Sequence, residues 1–160
     1  MEEDKDIKKE EKEIAEKVIE KKENKKHSMT EIREMIFKIF FAMQNEEMPK
    51  DLVEYILEDN GIKGEKNKEQ IYKLLDLKKE KQDELVDLIN KYLREDWEYS
   101  RISRVCISAI ELAILEIESG LPYKIAVNES VNIVKKYEDE KASKFVNGIL
   151  ASYIKENIKE

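Results

Sequence analysis

Few side chains in this chain are of a kind that does chemistry. It holds one histidine, His27, inside a charged run, and one cysteine, Cys106, on an apolar stretch. Neither has a base or metal-ligating partner at a usable spacing, and there is no glycine-rich phosphate loop. The carboxylates do not separate from the general surface charge, so neither catalysis nor a cofactor nor a metal is expected. What remains is binding chemistry. In "KASKFVNGIL", Lys144 and Phe145 stand at the start of a helical pattern. There a lysine can meet phosphate and an aromatic face can stack on an unpaired base. Plain core packing is an equal reading for Phe145. Asn147 and Gly148 interrupt the same pattern, at a cost of roughly 1 kcal/mol for glycine against alanine. A compensating role is that Gly148 lets a neighbouring helix approach closely while Asn147 satisfies the backbone of a facing turn. Lys124, Lys135, Lys136, Lys141 and Lys144 concentrate in the last two helical segments, although each alone reads as a solvated charge.

The elements that must position these residues are helices. With 160 residues, 41% hydrophobic and 42% charged, the chain can bury one sizeable core. Four glycines and two prolines are too few to punctuate many short strands, so the fold class is all-α, with six or seven helices. A single cysteine excludes an internal disulfide framework and agrees with a reducing compartment. No apolar run approaches the ~18 residues of a membrane span. The opening "MEEDKDIKKEEKE" lacks the apolar centre of a secretory signal, so a cytoplasmic location is expected. A net charge of −7 argues against indiscriminate coating of nucleic acid, while local basic patches stay open.

Residues 1–28 form a charged extension, because Ile7, Ile14, Val18 and Ile19 offer too little apolar area to offset the entropy of ordering. The extension is expected to be flexible or a solvated helix, and residues 29–160 the domain. The first helix of the domain begins at "SMTE", where Ser28 and Glu31 stand at capping-box spacing. Ile32, Met35, Ile36, Ile39, Phe40 and Met43 then share one face. Phe37 and Phe41, four apart, add a second stripe that either joins the core or receives a protein partner. Pro49 and Gly61 bracket a short helix. From Ile71 to Leu93 the apolar pattern fits a helix that "KKEKQDE" interrupts, either as a break or as an exposed turn. "SRVCISAIELAILEIESG" is apolar on most sides and belongs at the centre.

These segments carry a resemblance. "LPYKIAVNESVNIVKKYEDEKASKFVNGIL" is similar to the end of the NusB family of bacterial transcription antitermination factors, in which a Pro-Tyr-Lys segment leading to Asn-Glu precedes Lys-Phe-Val-Asn-Gly. The matching positions are Pro122, Tyr123, Asn128, Glu129, Asn147 and Gly148, a structural motif. "RISRVCISAIELAILEI" resembles the family's central helix and "REMIFKIFFAMQ" its first. The resemblance spans about residues 29 to 154. It implies a fold of two small packed helical bundles. It also implies binding of boxA-type single-stranded RNA in ribosomal RNA leader transcripts together with the ribosomal protein NusE, and so an indirect link to the RNA polymerase elongation complex. On that basis Arg33, Lys124, Lys141, Lys144 and Phe145 are candidate RNA contacts, and Phe37, Phe41 and Cys106 candidate partner contacts.

The chain departs from the family pattern in two places. Where the family carries an arginine-rich stretch, this chain reads "MTEIRE", which leaves Arg33 alone beside Glu31; Lys21, Lys22, Lys25 and Lys26 could replace the charge, without arginine's fork geometry. On the central helix Cys106 and Ile107 stand where the family tends to have an acidic and then a basic residue, and Glu111 stands where it has arginine. The acidic position lies in the surface that engages NusE, whereas Cys106 reads on its own as a small buried hydrophobe. Two alternatives follow: a diverged adaptor that binds only protein, and a homodimer formed through the Phe37 and Phe41 surface. The fold also fronts larger ribosomal RNA cytosine methyltransferases, for which a chain ending at Glu160 is expected to leave no room.

Overall fold

The computed structural model describes residues 6–15 and 28–158. Helix α1 covers 6–15, exposed throughout. The others are α2 (Met29–Met43), α3 (Lys50–Asp59), α4 (Glu65–Glu80), α5 (Gln82–Tyr92), α6 (Arg104–Glu118), α7 (Tyr123–Tyr137) and α8 (Glu140–Asn157), with a short 3-10 turn at Tyr99–Arg101 before α6. Seven helices from Met29 onward and α1 make eight, one more than the upper expectation, and no strand occurs among the described residues. The lysines Lys21, Lys22, Lys25 and Lys26, together with Val18, Ile19 and His27, lie outside the described residues.

Local chemistry sets the helix ends. Ser28 Oγ accepts from Glu31 N at 3.1 Å, as the capping-box spacing predicts. Ser103 and Asp139 cap α6 and α8 in the same way, accepting from Cys106 N at 3.1 Å and from Ala142 N at 2.7 Å. Two glycines stop helices in the left-handed region. Gly61 has φ of 77° and Gly120 of 107°, and the next residues bond back to Leu57 O and Glu116 O, both at 2.9 Å. The interrupted segment from Ile71 to Leu93 resolves as a break: α4 ends at Glu80, Lys81 leaves helical geometry, and α5 starts at Gln82.

Helix α6 is the axis of the molecule, packing against α2, α4, α7 and α8. Ile110, Leu112, Ala113, Ile114 and Leu115 are buried on it, and Ile36, Phe40, Leu57, Ile71, Leu85, Ile89, Val134, Val146 and Leu150 from the surrounding helices complete one core. Three polar side chains are buried on this same helix, Ser108, Glu111 and Glu116. Each has a partner on another helix. Gln44 at the end of α2 donates to Ser108 Oγ and, at 2.8 Å, to Arg104 O. Lys78 of α4 meets Glu111 at 3.1 Å, and Arg33 of α2 meets Glu116 at 2.7 Å. Buried charges of this kind persist only when paired.

The structure removes the candidate roles of Arg33, Phe37 and Cys106 in binding and of Gly148 and Asn147 in close approach, while the burial of Phe37 and Cys106 agrees with the alternative core reading of each. Arg33 is 5% exposed rather than a surface cation: its Nε donates to both carboxylate oxygens of Glu116, at 2.9 and 2.7 Å, and Nη1 lies 3.4 Å from Glu129. Phe37 is 2% exposed, covered by the Tyr137 ring at 5.3 Å, so it joins the core while Phe41, at 38%, stays on the surface. Cys106 is 3% exposed and presents nothing to a partner. Burial pushes its thiol up to about 11, with Glu138 adding to the effect. Gly148 is exposed, and a Cβ there would meet nothing within 4 Å, so no helix approaches it. Asn147 is likewise exposed and forms no hydrogen bond to a facing turn among the described residues.

Candidate nucleic-acid interface

The first two turns of α8 carry Lys141, Lys144 and Phe145, oriented by the Asp139 cap. Opposite them runs the loop from Leu93 to Glu98, where Trp97 N bonds to Arg94 O at 2.9 Å and closes a turn. That turn brings the Trp97 indole onto Phe145, with ring centroids 5.5 Å apart and planes inclined by 17°. Phe145 is half-buried, and Trp97 keeps 45% of its surface exposed. One side of the tryptophan is therefore held by an aromatic neighbour while solvent still reaches it.

The stack borders a cleft of about 330 Å³ whose lining includes Arg94, Lys144 and Gly148. Here the missing side chain of Gly148 has an effect other than helix approach: it leaves the floor beside Phe145 open. Two cations, a stacked aromatic pair and an open floor are the ingredients for holding an unpaired base and its phosphate. The cleft is anchored from behind, because Tyr92 and Lys91 at the end of α5 both bond Glu156 of α8 at 2.6 Å. Those contacts fix α5, and hence the loop that follows it, against α8. They also pull the Glu156 carboxyl below its ordinary range, chiefly through Lys91.

The remaining sequence candidates fall elsewhere. Lys124 is exposed on α7 and lines a separate groove between α7 and α8, where Tyr123, Asn128 and Asn147 also converge around Val127, Val131 and Ile154. Lys141 is exposed one turn before Lys144. Pro122 sits at the start of α7. Glu129 acts within the fold, accepting from Thr30 Oγ1 at 2.9 Å beside Arg33. Burial raises the carboxyl of Glu116 above its ordinary range, Arg33 opposing and Glu129 adding to the rise. Helices α2, α6 and α7 thus share one polar junction in which Nε and Nη1 of Arg33 face Glu116 and Glu129. The five RNA candidates do not form one cluster: Lys144 and Phe145 meet at the cleft, Lys141 stands nearby on the same helix, and Lys124 and Arg33 lie away from it.

Trp97 and Arg94 were not picked out from the sequence. The available signal was that Trp97 is the only tryptophan, set in the polar loop "REDWEY" where a large aromatic has no helical stripe to join. Among the described residues no group of three or more His, Cys, Asp or Glu side chains could hold a metal ion, and no helix is long and apolar enough to cross a membrane.

Comparison with known proteins agrees with the sequence resemblance. The NusB family model matches residues 30–155. The transcription antitermination protein NusB of Ligilactobacillus salivarius is 32% identical over 130 residues, covering 79% of this chain and 98% of its own. That of Enterococcus faecalis is 32% identical over 136 residues, 79% of this chain and 88% of its own. A NusB structure from T. maritima superposes with a TM-score of 0.73 at 31% identity, over 84% of this chain and 96% of that one. A structure of antitermination factors NusB and NusE in complex with dsRNA contains a chain that superposes at 0.69 and 27% identity, over 78% and 94% of the two chains. The expected NusB-like all-helical architecture is therefore found.

Proposed function

The chain belongs to the NusB family, and from that premise we propose that it is a transcription antitermination factor that binds boxA-type RNA of ribosomal RNA leader transcripts together with the ribosomal protein NusE. It would act on the RNA polymerase elongation complex indirectly, in the cytoplasm, as an adaptor that performs no chemistry of its own. Residues 29–160 carry this role, and the charged extension 1–28 is an accessory to it.

The observation that carries the reading is the exposed Trp97 stacked on Phe145 beside Lys144 and Arg94. Base stacking on such aromatics is worth about 1–3 kcal/mol per base and tolerates many sequences, so discrimination of boxA falls to polar contacts and to the protein partner. With Arg33 occupied by Glu116, phosphate contacts come from Lys141, Lys144 and Arg94. Few such contacts mean modest affinity and a shallow salt dependence. A second reading, a protein-only adaptor or homodimer, draws support from the exposure of Phe41 (38%), Leu52 (45%) and Tyr55 (65%) on α2 and α3.

The deciding experiment measures boxA RNA binding by the full chain and by a chain starting at Met29, at two salt concentrations, with and without NusE. Selective RNA binding that strengthens with NusE is expected. Indifference to both ligands, alone and combined, would overturn the proposal. Equal binding by both chains would remove the lysine-rich extension from the RNA surface.

A further inference from the structure

We propose that the groove between α7 and α8 binds an extended, acidic segment of a partner protein, through hydrogen bonds from the side chains of Asn128 and Asn147 to its main chain. The groove measures about 500 Å³, within the ~300–1,000 Å³ span of ligand sites. It shares no lining residue with the Trp97–Phe145 cleft, so the inference does not rest on RNA binding. The turn at Glu138 and Asp139 folds α7 and α8 into an antiparallel hairpin, and the groove follows the seam between them. Val127 and Val131 from α7 and Ala151 and Ile154 from α8 supply its apolar lining, and none of the four is buried.

Hydrogen bonding, shape and charge each narrow the occupant. Asn128 and Asn147 come from opposite helices, both are exposed, and neither side-chain amide has a hydrogen-bond partner among the described residues. Each amide offers donors and an acceptor, which matches the N–H and C=O of a main chain whose groups are free. An extended segment has such groups, whereas a helix satisfies them internally. The lining is aliphatic apart from Tyr123, which is half-buried, so it suits branched aliphatic side chains rather than stacked bases. Lys124 and Lys155 lie at one end, because the antiparallel pairing places the start of α7 beside the end of α8. Both are exposed, neither forms an ion pair among the described residues, and no carboxylate lines the groove. In a chain of net charge −7 this end is a local excess of positive charge, which favours a glutamate or aspartate of the occupant and disfavours a basic side chain.

The test titrates the full chain, isotope-labelled at valine and isoleucine methyls, with the peptide N-acetyl-Glu-Val-Leu-Val-Glu-amide, which places an acid at the lysine end in either chain direction. The comparison ligands are the peptide with glutamine at both ends, the peptide N-methylated along its central main chain, and a short oligouridylate. The acidic peptide should shift the Val127, Val131 and Ile154 methyls saturably. The glutamine peptide should bind about threefold more weakly. The N-methylated peptide, which keeps every side chain but lacks the main-chain donors, should bind at least about fivefold more weakly. The oligouridylate should leave those methyls in place. Lys155→Gln should weaken binding of the acidic peptide by about threefold and Asn147→Ala by about fivefold; both residues are exposed, so the fold is retained. The assignment is overturned by an absent or unsaturable shift, by a glutamine or N-methylated peptide that binds as tightly as the acidic one, by a saturable response of these methyls to the oligouridylate, or by affinity unchanged in either variant.

Discussion

Replacing Arg33 with methionine removes one partner of a buried pair while keeping the bulk of its stem. Glu116, with a side chain 7% exposed, then loses both contacts from Arg33 Nε at 2.9 and 2.7 Å. Glu129, 18% exposed, retains the Thr30 hydroxyl at 2.9 Å, so most of the penalty falls on Glu116. Stranding a buried charge costs about 3–5 kcal/mol, which for a domain of this size lowers Tm by about 6–20 °C. The cost should depend on pH. Burial already raises the folded pKa of Glu116 above its unfolded value, and Arg33 opposes that rise. A raised carboxyl pKa means that the native state holds its proton to higher pH than the unfolded chain, so stability falls as pH climbs through the folded value. Without Arg33 the folded value climbs further. The deficit of Arg33→Met is then largest near neutrality and is partly recovered on acidification, as Glu116 protonates. Urea unfolding of both proteins at about pH 7.5 and about pH 5 measures this. The double variant Arg33→Met, Glu116→Met should regain much of the loss, since an apolar pair tolerates the site. A loss below about 1 kcal/mol, or one that grows toward acid, would refute the assignment of Arg33 as a structural cation.

Phe145→Ala should weaken single-stranded RNA binding by about 5- to 150-fold, corresponding to ~1–3 kcal/mol of stacking, with the far-ultraviolet helical signal preserved. Gly148→Ala should raise stability by about 0.5–1 kcal/mol in thermal unfolding, because the added methyl meets nothing within 4 Å and the helix gains propensity. Destabilisation would instead restore the close-approach reading. The Cys106 thiol, pushed up to about 11 by burial, should react with a disulfide reagent at mildly alkaline pH at least about a hundredfold more slowly in the native protein than in denaturant.

Local features were legible in the sequence and tertiary ones were not. The Ser28 cap, the glycine stops at Gly61 and Gly120, and the apolar circumference of α6 depend on residues a few positions apart, so their spacing carries the information. The fates of the charged residues depend on distant chain. Arg33 reads as a surface cation until Glu116, 83 residues later, arrives beside it. Glu111 reads as a solvated charge until Lys78 of α4 does the same. Phe37 and Phe41 occupy one stripe, and only Tyr137 of α7 decides that the first is covered. The break at Lys81 sits in a charged run with no apolar period to register it. Trp97 needed the loop's turn to bring it onto Phe145, a contact between residues 48 positions apart that no periodicity encodes (145 − 97).

The central claim is that an unpaired base stacks at Trp97 and Phe145, and the chain contains its own probe, since Trp97 is the only tryptophan. Titrating boxA RNA while following tryptophan emission, with and without NusE, reports on that cleft directly. The account predicts saturable quenching that sets in at lower RNA concentration when NusE is present, and weaker quenching by a scrambled RNA. Emission that stays constant while RNA binds, or an identical response to the scrambled sequence with NusE present, would contradict it.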